Sequence, residues 1–196
     1  MFLKKGDPYA LVVGMAGVKM GDRLLQVGCA DGGRLAAIAQ KVGLSGRAVA
    51  VVPDESSAAR ARKGAANAGV LIDVEVAPPI RLPVEDASFD LVIVDDTEGL
   101  IGSMRGEDRA AAVRELLRVA RPGGRAMIVG AAPRAGLGAL LARAPTAPPF
   151  AASGEANKSL QADGFKSVRT LAEREGLIFV EGIKPRDLPP YRAQVK

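Results

Sequence analysis

The sequence predicts an α/β fold, a largely parallel sheet covered on both faces by helices. Three observations carry the prediction. Short apolar runs alternate with longer helix-like segments, the pattern of strand–helix–strand units. The most apolar run, Leu91–Val94 (LVIV), lacks the in–out alternation of a half-exposed strand and reads as covered on both sides. A glycine-rich turn separates the first run from the helix that follows it.

Arg23–Gly28 (RLLQVG) is expected as the first strand, with a helix over Leu35–Val42 after the turn. Arg47–Val52 (RAVAVV) is the second strand. Ser56–Ala68, rich in Ala and Arg and opened by Ser, is a strong helix former. Leu71–Val76 and Phe89–Val94 are the third and fourth strands. Glu107–Ala120 is the clearest helix, with Ala111, Leu116, Val119 and Ala120 near one face. Arg121-Pro122-Gly123-Gly124 stops it, and Arg125–Val129 is the fifth strand. Residues 130–155 are rich in Ala, Pro and Gly; they read as a surface connection with a short helix around Leu137–Arg143, or as a lid or partner-docking loop. Asn157–Ala162 is helical by pattern, and Val168–Leu171 and Leu177–Gly182 are strands around the turn Arg174-Glu175-Gly176. One domain is expected over 1–184, followed by a loose tail at 185–196.

Composition then narrows the chemistry. The chain has 196 residues, 48% of them hydrophobic and 25% charged, enough to bury a substantial core. No apolar run approaches the ~20 residues of a membrane span, and no apolar segment follows the lysines of the N-terminus as in a secretion signal. The expected location is the cytoplasm. A single cysteine, Cys29, excludes an internal disulfide framework. The absence of histidine excludes His–Cys zinc clusters, Ser-His-Asp triads and Cys-His dyads, so no metal site is expected and proton transfer falls to carboxylates, lysine, tyrosine, water or substrate. With no Trp, two Tyr and five Phe, base-stacking platforms are not expected. The net charge of +5 is dispersed along the chain and does not point to nucleic acid.

Four segments in register resemble one known family. LLQVGCADGG (Leu24–Gly33) is similar to a first strand and glycine turn, and LPVEDASFDLVIVDD (Leu82–Asp96) to the loop entering a fourth strand. LLRVARPGGRAMIVG (Leu116–Gly130) is similar to a helix, Pro-Gly-Gly turn and fifth strand, and GFKSVRTLAEREGLIFVEGIK (Gly164–Lys184) to a closing antiparallel hairpin. Together they resemble the class I S-adenosylmethionine-dependent methyltransferases. The resemblance implies a Rossmann-like, doubly wound, seven-stranded mixed sheet with an antiparallel C-terminal hairpin strand. It also implies S-adenosylmethionine as cofactor, held at the turn by Gly28, Cys29, Ala30, Asp31 and Gly32.

The chain departs from the family's pattern at three acidic positions. Gln26 stands two residues before the first glycine of the turn, where the family has an acid. Val52 stands at the end of the second strand, where an acid usually accepts from the ribose, and Pro78 where an Asp often accepts from the adenine. Pro53 is placed to redirect the chain so that Asp54 or Glu55 serves the ribose instead; the bland alternative is a solvated helix start. Ala30 replaces the middle glycine of the turn.

Methyl transfer is an in-line displacement, so positioning and electrostatics account for much of its catalysis and a general base is optional. Asp95 and Asp96, after the fourth strand, are the expected catalytic pair, either as a base or as orienting groups for a substrate; the alternative is a capped turn ending the strand. Cys29 in the turn reads as a small packed side chain ahead of a nucleophile, and Tyr9 as a packing residue in the lead-in to the first strand. Two functions are expected to compete: a methyltransferase acting on a small-molecule acceptor, and a methyltransferase-fold protein without catalysis that serves as scaffold, partner subunit or binder of another ligand. A protein partner or a homo-oligomer is compatible with either.

Overall fold

The computed structural model describes residues 7–132 and 149–186. In chain order the elements are α1 (Ala10–Ala16), β1 (Arg23–Val27), α2 (Gly33–Val42), β2 (Arg47–Val52), α3 (Glu55–Ala68), β3 (Asp73–Val76), β4 (Phe89–Asp96), α4 (Gly106–Val119), β5 (Ala120–Ala131), α5 (Glu155–Ala162), β6 (Lys166–Arg174) and β7 (Leu177–Ile183). The strands form one sheet in the order β3-β2-β1-β4-β5-β7-β6. Pairing is parallel from β3 to β5, and β7 runs antiparallel to both its neighbours. The expected seven-stranded mixed sheet with an antiparallel C-terminal hairpin is therefore what the chain forms.

Alternation along each strand divides the core into two faces. Leu25 and Val27 of β1, Val92 and Val94 of β4 and Ile128 of β5 pack with Val113, Leu116 and Val119 of α4 and Leu160 of α5. Leu24, Ile93, Met127 and Phe179 face the other way, against Val12 and Ala16 of α1 and Ile38 and Val42 of α2. A third cluster joins Cys29, Leu35, Ala50, Val52, Ala58 and Ala61 beneath α2 and α3.

The elements differ from expectation in instructive places. α1 falls in the lead-in to the first strand, where no element is assigned from sequence; it is a short helix, closed by Gly17 at φ 54°, whose N–H donates to the Val13 carbonyl. β3 is shorter than predicted, with Leu71 left exposed. In α4 the buried residues include Ala112 and Val113, while Ala111 is only partly covered. The Pro-Gly-Gly segment is not a free turn: pairing passes from Phe89↔Ala120 to Leu91↔Arg125, so Arg121–Gly124 is a bulge within β5. Lys184 fastens that bulge, its N–H donating to the Gly124 carbonyl while Gly123 N–H donates to the Lys184 carbonyl. α3 begins one residue earlier than predicted because Asp54, not a serine, caps it, accepting from Ser57 N at 2.8 Å. The β6–β7 hairpin turns through Glu175 (φ 54°) and Gly176 (φ 75°), the paired left-handed conformations of a tight two-residue loop. The helix expected around 137–143 and the tail from 187 lie outside the described residues.

Candidate functional site

β1 pairs with β2 on one side and β4 on the other, so the chain leaves the carboxyl ends of β1 and β4 in opposite directions. That divergence is where a doubly wound sheet opens a crevice. The turn Gly28–Gly32 and the turn after Asp96 form its mouth.

Gly28, Ala30 and Gly32 all take left-handed backbone angles, φ 78°, 44° and 83°. Glycine adopts these freely, whereas a side chain at Ala30 holds a conformation that disfavours it by about 1–2 kcal/mol. Two of the positions are glycine for steric reasons within the chain itself. A Cβ on Gly28 would lie 2.8 Å from Leu100 Cδ2 and 2.9 Å from the Asp95 carbonyl oxygen. A Cβ on Gly32 would run into the Arg60 carbonyl of α3, and one on Gly64 would lie 2.5 Å from the Gly32 carbonyl oxygen. The turn is thus clamped between α3 and the end of β4. Arg60 adds to the clamp, its Nε donating to the Ala30 carbonyl at 2.7 Å.

Gln26 lies directly beneath this turn and is 1% exposed. Its Nε2 donates to the Gly28 carbonyl at 3.0 Å, while its Oε1 has no partner, the one such buried side-chain atom among the described residues. A buried acceptor left unsatisfied costs about 1–3 kcal/mol, so this atom marks a place for a donor. The residues therefore fit the polar, ammonium-bearing end of a small ligand. They do not offer the same at the end of β2. Val52 is 1% exposed and packed among apolar side chains, and the exposed Asp54 carboxylate is held by Ser57 N and by the Ser56 hydroxyl at 2.6 Å. Those bonds, that from Ser56 foremost, draw the Asp54 carboxyl below the usual range. Pro53 is exposed beside it, and Asp31 accepts from Gly33 N at 2.9 Å, turning the chain into α2.

Cys29 donates its thiol to the Ser57 carbonyl at 3.3 Å, and burial pushes its pKa up despite the nearby Arg60. It is a neutral, packed thiol. Tyr9, just before α1, places its hydroxyl over Gly33 at the first turn of α2, where any side chain would collide with it.

The two aspartates after β4 have separate tasks. Asp95 accepts from Arg34 through Nε at 3.0 Å and Nη2 at 3.1 Å, and from the Thr97 hydroxyl at 2.6 Å; both partners of the ion pair are largely buried. Burial works against the Arg34 charge, but the hydrogen bond to Asp95 and the negative charges of Asp95 and Asp31 together outweigh it and keep the guanidinium firmly protonated. Asp96 instead accepts from Ile101 N at 2.8 Å and Gly102 N at 3.0 Å, tying down the following turn. Burial raises its pKa, against the pull of those amides. The pair is brought together, but neither carboxylate stands free.

Sequence reasoning named Gln26, Gly28–Gly32, Val52, Pro53, Asp54, Asp95 and Asp96, with Thr97 as a helper of the turn after Asp96, and missed Arg34 and Leu100. Arg34 left a signal: an arginine in the first turn of a helix opposes the helix dipole and calls for an acid nearby. Among the described residues no group of His, Cys, Asp and Glu is arranged to hold a metal, and no helix is long and apolar enough to cross a membrane.

Residues 25–128 match the family model described as "Methyltransferase domain". Among curated proteins, norajmaline N-methyltransferase of Rauvolfia serpentina is 27% identical over 111 residues, covering 57% of this chain and 36% of that protein. An uncharacterized protein of Mycobacterium tuberculosis is 35% identical over 114 residues, 58% of this chain and 39% of its own length. The chain thus spans well under half the length of these relatives. Among solved structures, a SAM dependent methyltransferase from Aquifex aeolicus superposes with TM-score 0.70 at 22% identity, covering 91% of this chain and 94% of its own. The cyclase SpnF superposes with TM-score 0.68 at 19% identity, over 90% and 80% of the two chains. Both likenesses establish the fold.

Proposed function

The chain belongs to the methyltransferase-domain family, and from that premise we propose that it is an S-adenosylmethionine-dependent methyltransferase acting on a small-molecule acceptor. One observation carries the proposal: the unpartnered Oε1 of Gln26 beneath a turn whose backbone keeps its left-handed form even at Ala30. When bound, S-adenosylmethionine supplies an electrophilic methyl group on a sulfonium centre. Gln26, Gly28, Cys29, Ala30, Asp31 and Gly32 hold its amino-acid end, with Gln26 accepting from the ammonium. Val52, Pro53 and Asp54 border the nucleoside end, where apolar contact and backbone groups replace the acid that relatives use. Asp95, oriented by Arg34 and Thr97, positions the acceptor, and Asp96 keeps the turn after β4 in place. Neither is asked to remove a proton, which suits a displacement driven by positioning. A single domain over 1–184 and a cytoplasmic location belong to the same proposal.

Calorimetric titration of the purified protein with S-adenosylmethionine and S-adenosylhomocysteine tests it. The expected result is micromolar binding that Gln26→Leu weakens by about tenfold or more, the loss of one charge-assisted hydrogen bond. No heat up to millimolar ligand from a folded protein would overturn it.

A second reading, a scaffold or binder of another ligand without methyl transfer, is favoured by Leu100 packed onto Gly28 and by the closure of Asp95 on Arg34. A cyclase shares this fold, and fold alone does not fix chemistry. Leu100→Ala separates the two readings. It increases affinity for S-adenosylmethionine if Leu100 only shields the turn, and changes nothing if the crevice serves another purpose.

A further inference from the structure

Ala30 is the one residue with a side chain among the three left-handed positions of the turn, at φ 44°. Such a backbone persists only where the surroundings over-determine it. Gly32 N–H donates to the Cys29 carbonyl at 2.7 Å and closes the turn around Ala30. The Ala30 carbonyl is held from α3, by Arg60 Nε at 2.7 Å; its other side-chain contact among the described residues is a long one from Cys29 Sγ, 3.8 Å. Arg60 has further bonds along α3. Its Nη2 donates to the Ser57 hydroxyl at 2.9 Å and its Nη1 to the Ser56 hydroxyl at 3.5 Å, three and four residues before it on the same face. The Ser56 hydroxyl donates in turn to the Asp54 carboxylate at 2.6 Å. Among the described residues every hydrogen bond of Arg60 goes to a neutral oxygen and none to a carboxylate. A charged donor to a carbonyl is about twice as strong as a neutral one, and the planar fork of arginine ties several acceptors at once.

We propose that Arg60 is a positioning residue for this turn: it holds Ala30 in the left-handed form and fixes the turn to the start of α3, so that the crevice is formed before a ligand arrives. The inference rests on the reading that the turn holds S-adenosylmethionine. Arg60 acts through the Ala30 carbonyl and needs no contact with the ligand. A preformed site binds more tightly because the ligand does not have to order it. Where the competent form is only partly populated, apparent affinity falls by that fraction. Without Arg60, Ala30 is free to leave the left-handed region, and the turn is competent about a tenth of the time. Glycine carries no such bias against left-handed angles, so it is the methyl group of Ala30 that makes Arg60 necessary. The two residues form a pair, one departing from glycine and the other compensating for it. Through Ser56 the same guanidinium is linked to Asp54, so it joins the turn to the end of the crevice that borders the nucleoside.

The test compares the parent chain, Arg60→Leu, Ala30→Gly and the double variant, each titrated calorimetrically with S-adenosylmethionine and S-adenosylhomocysteine. Arg60→Leu is expected to weaken binding by about tenfold beside Ala30, and by about threefold or less beside Ala30→Gly. A residue that only steadied α3 would lose the same factor in both backgrounds. Exchange of the Gly32 amide, read by NMR in the ligand-free protein, is expected to quicken by about tenfold in Arg60→Leu. Undiminished affinity in Arg60→Leu, equal losses in the two backgrounds, or unchanged Gly32 exchange overturns the proposal. A folded parent chain that binds neither ligand overturns the cofactor reading instead, and Gly32 exchange then decides the role of Arg60 by itself.

Discussion

Asp96 shows how one buried carboxylate sets a pH dependence. Its folded pKa is raised by burial above the ordinary 3.8, so the folded chain holds this proton more tightly than the unfolded one. The contribution to stability is fully present below pH 3.8 and is lost as pH rises through the folded value. Asp96→Asn keeps an oxygen for the Ile101 and Gly102 amides and removes the titration. The expected outcome is a smaller stability difference between mildly acidic and neutral buffer than in the parent, with the variant equal or more stable at neutral pH, read from urea unfolding across that range. At this scale the sequence was half legible. It marked Asp95 and Asp96 by their place after an apolar strand, yet gave no means to see that Arg34, sixty-one residues away, satisfies one of them while backbone amides five and six residues on satisfy the other. Gln26 was visible as a departure from a family pattern; that its Oε1 is left without a donor is a fact of packing.

Between elements, the contact of the glycine turn with α3 is the most demanding. Alanine in place of a helical glycine ordinarily stabilises by about 1 kcal/mol. At Gly64 the new Cβ would sit 2.5 Å from the Gly32 carbonyl oxygen and 2.8 Å from its carbon, both backbone atoms that cannot rotate away. Overpacking of this kind costs about 1–3 kcal/mol and forces the turn and helix apart. Gly64→Ala is expected to destabilise by about 1 kcal/mol net in urea unfolding and to weaken S-adenosylmethionine binding, since the turn moves. Strand identity was legible because apolar runs and punctuating glycines are local. The ends of strands were less so: β3 loses Leu71 to solvent, and β5 runs on through the Arg121–Gly124 bulge because β4 pairs on both sides of it and Lys184 fastens it, partners that a local pattern cannot announce. α1 escaped notice because a seven-residue helix is held by packing of Val12 and Ala16 on the sheet and has little intrinsic stability.

Across the described residues as a whole, the sheet is buried at its centre, and β3 and β6 form its margins. Among the described residues β2, β1, β4, β5 and β7 each have strand neighbours on both sides, whereas β3 and β6 have one. Amide exchange is expected to be slowest in β4, β5 and β7 and fastest among strands in β3 and β6. The architecture was legible because several segments fell in the right order, and order along a chain is what sequence records best. One consequence follows from the interior position of β7, which is last of the strands in sequence but lies between β5 and β6. A growing chain can assemble β1 to β5 while β5 still presents a bare edge, and β6 emerges with nothing beside it. Both must wait for residues 177–183. During that interval the unfinished sheet can be joined by a strand from another nascent chain. The tight turn at Glu175-Gly176 makes the hairpin a local closure of low entropic cost, so those two residues govern how readily the seam is sealed once β7 has emerged.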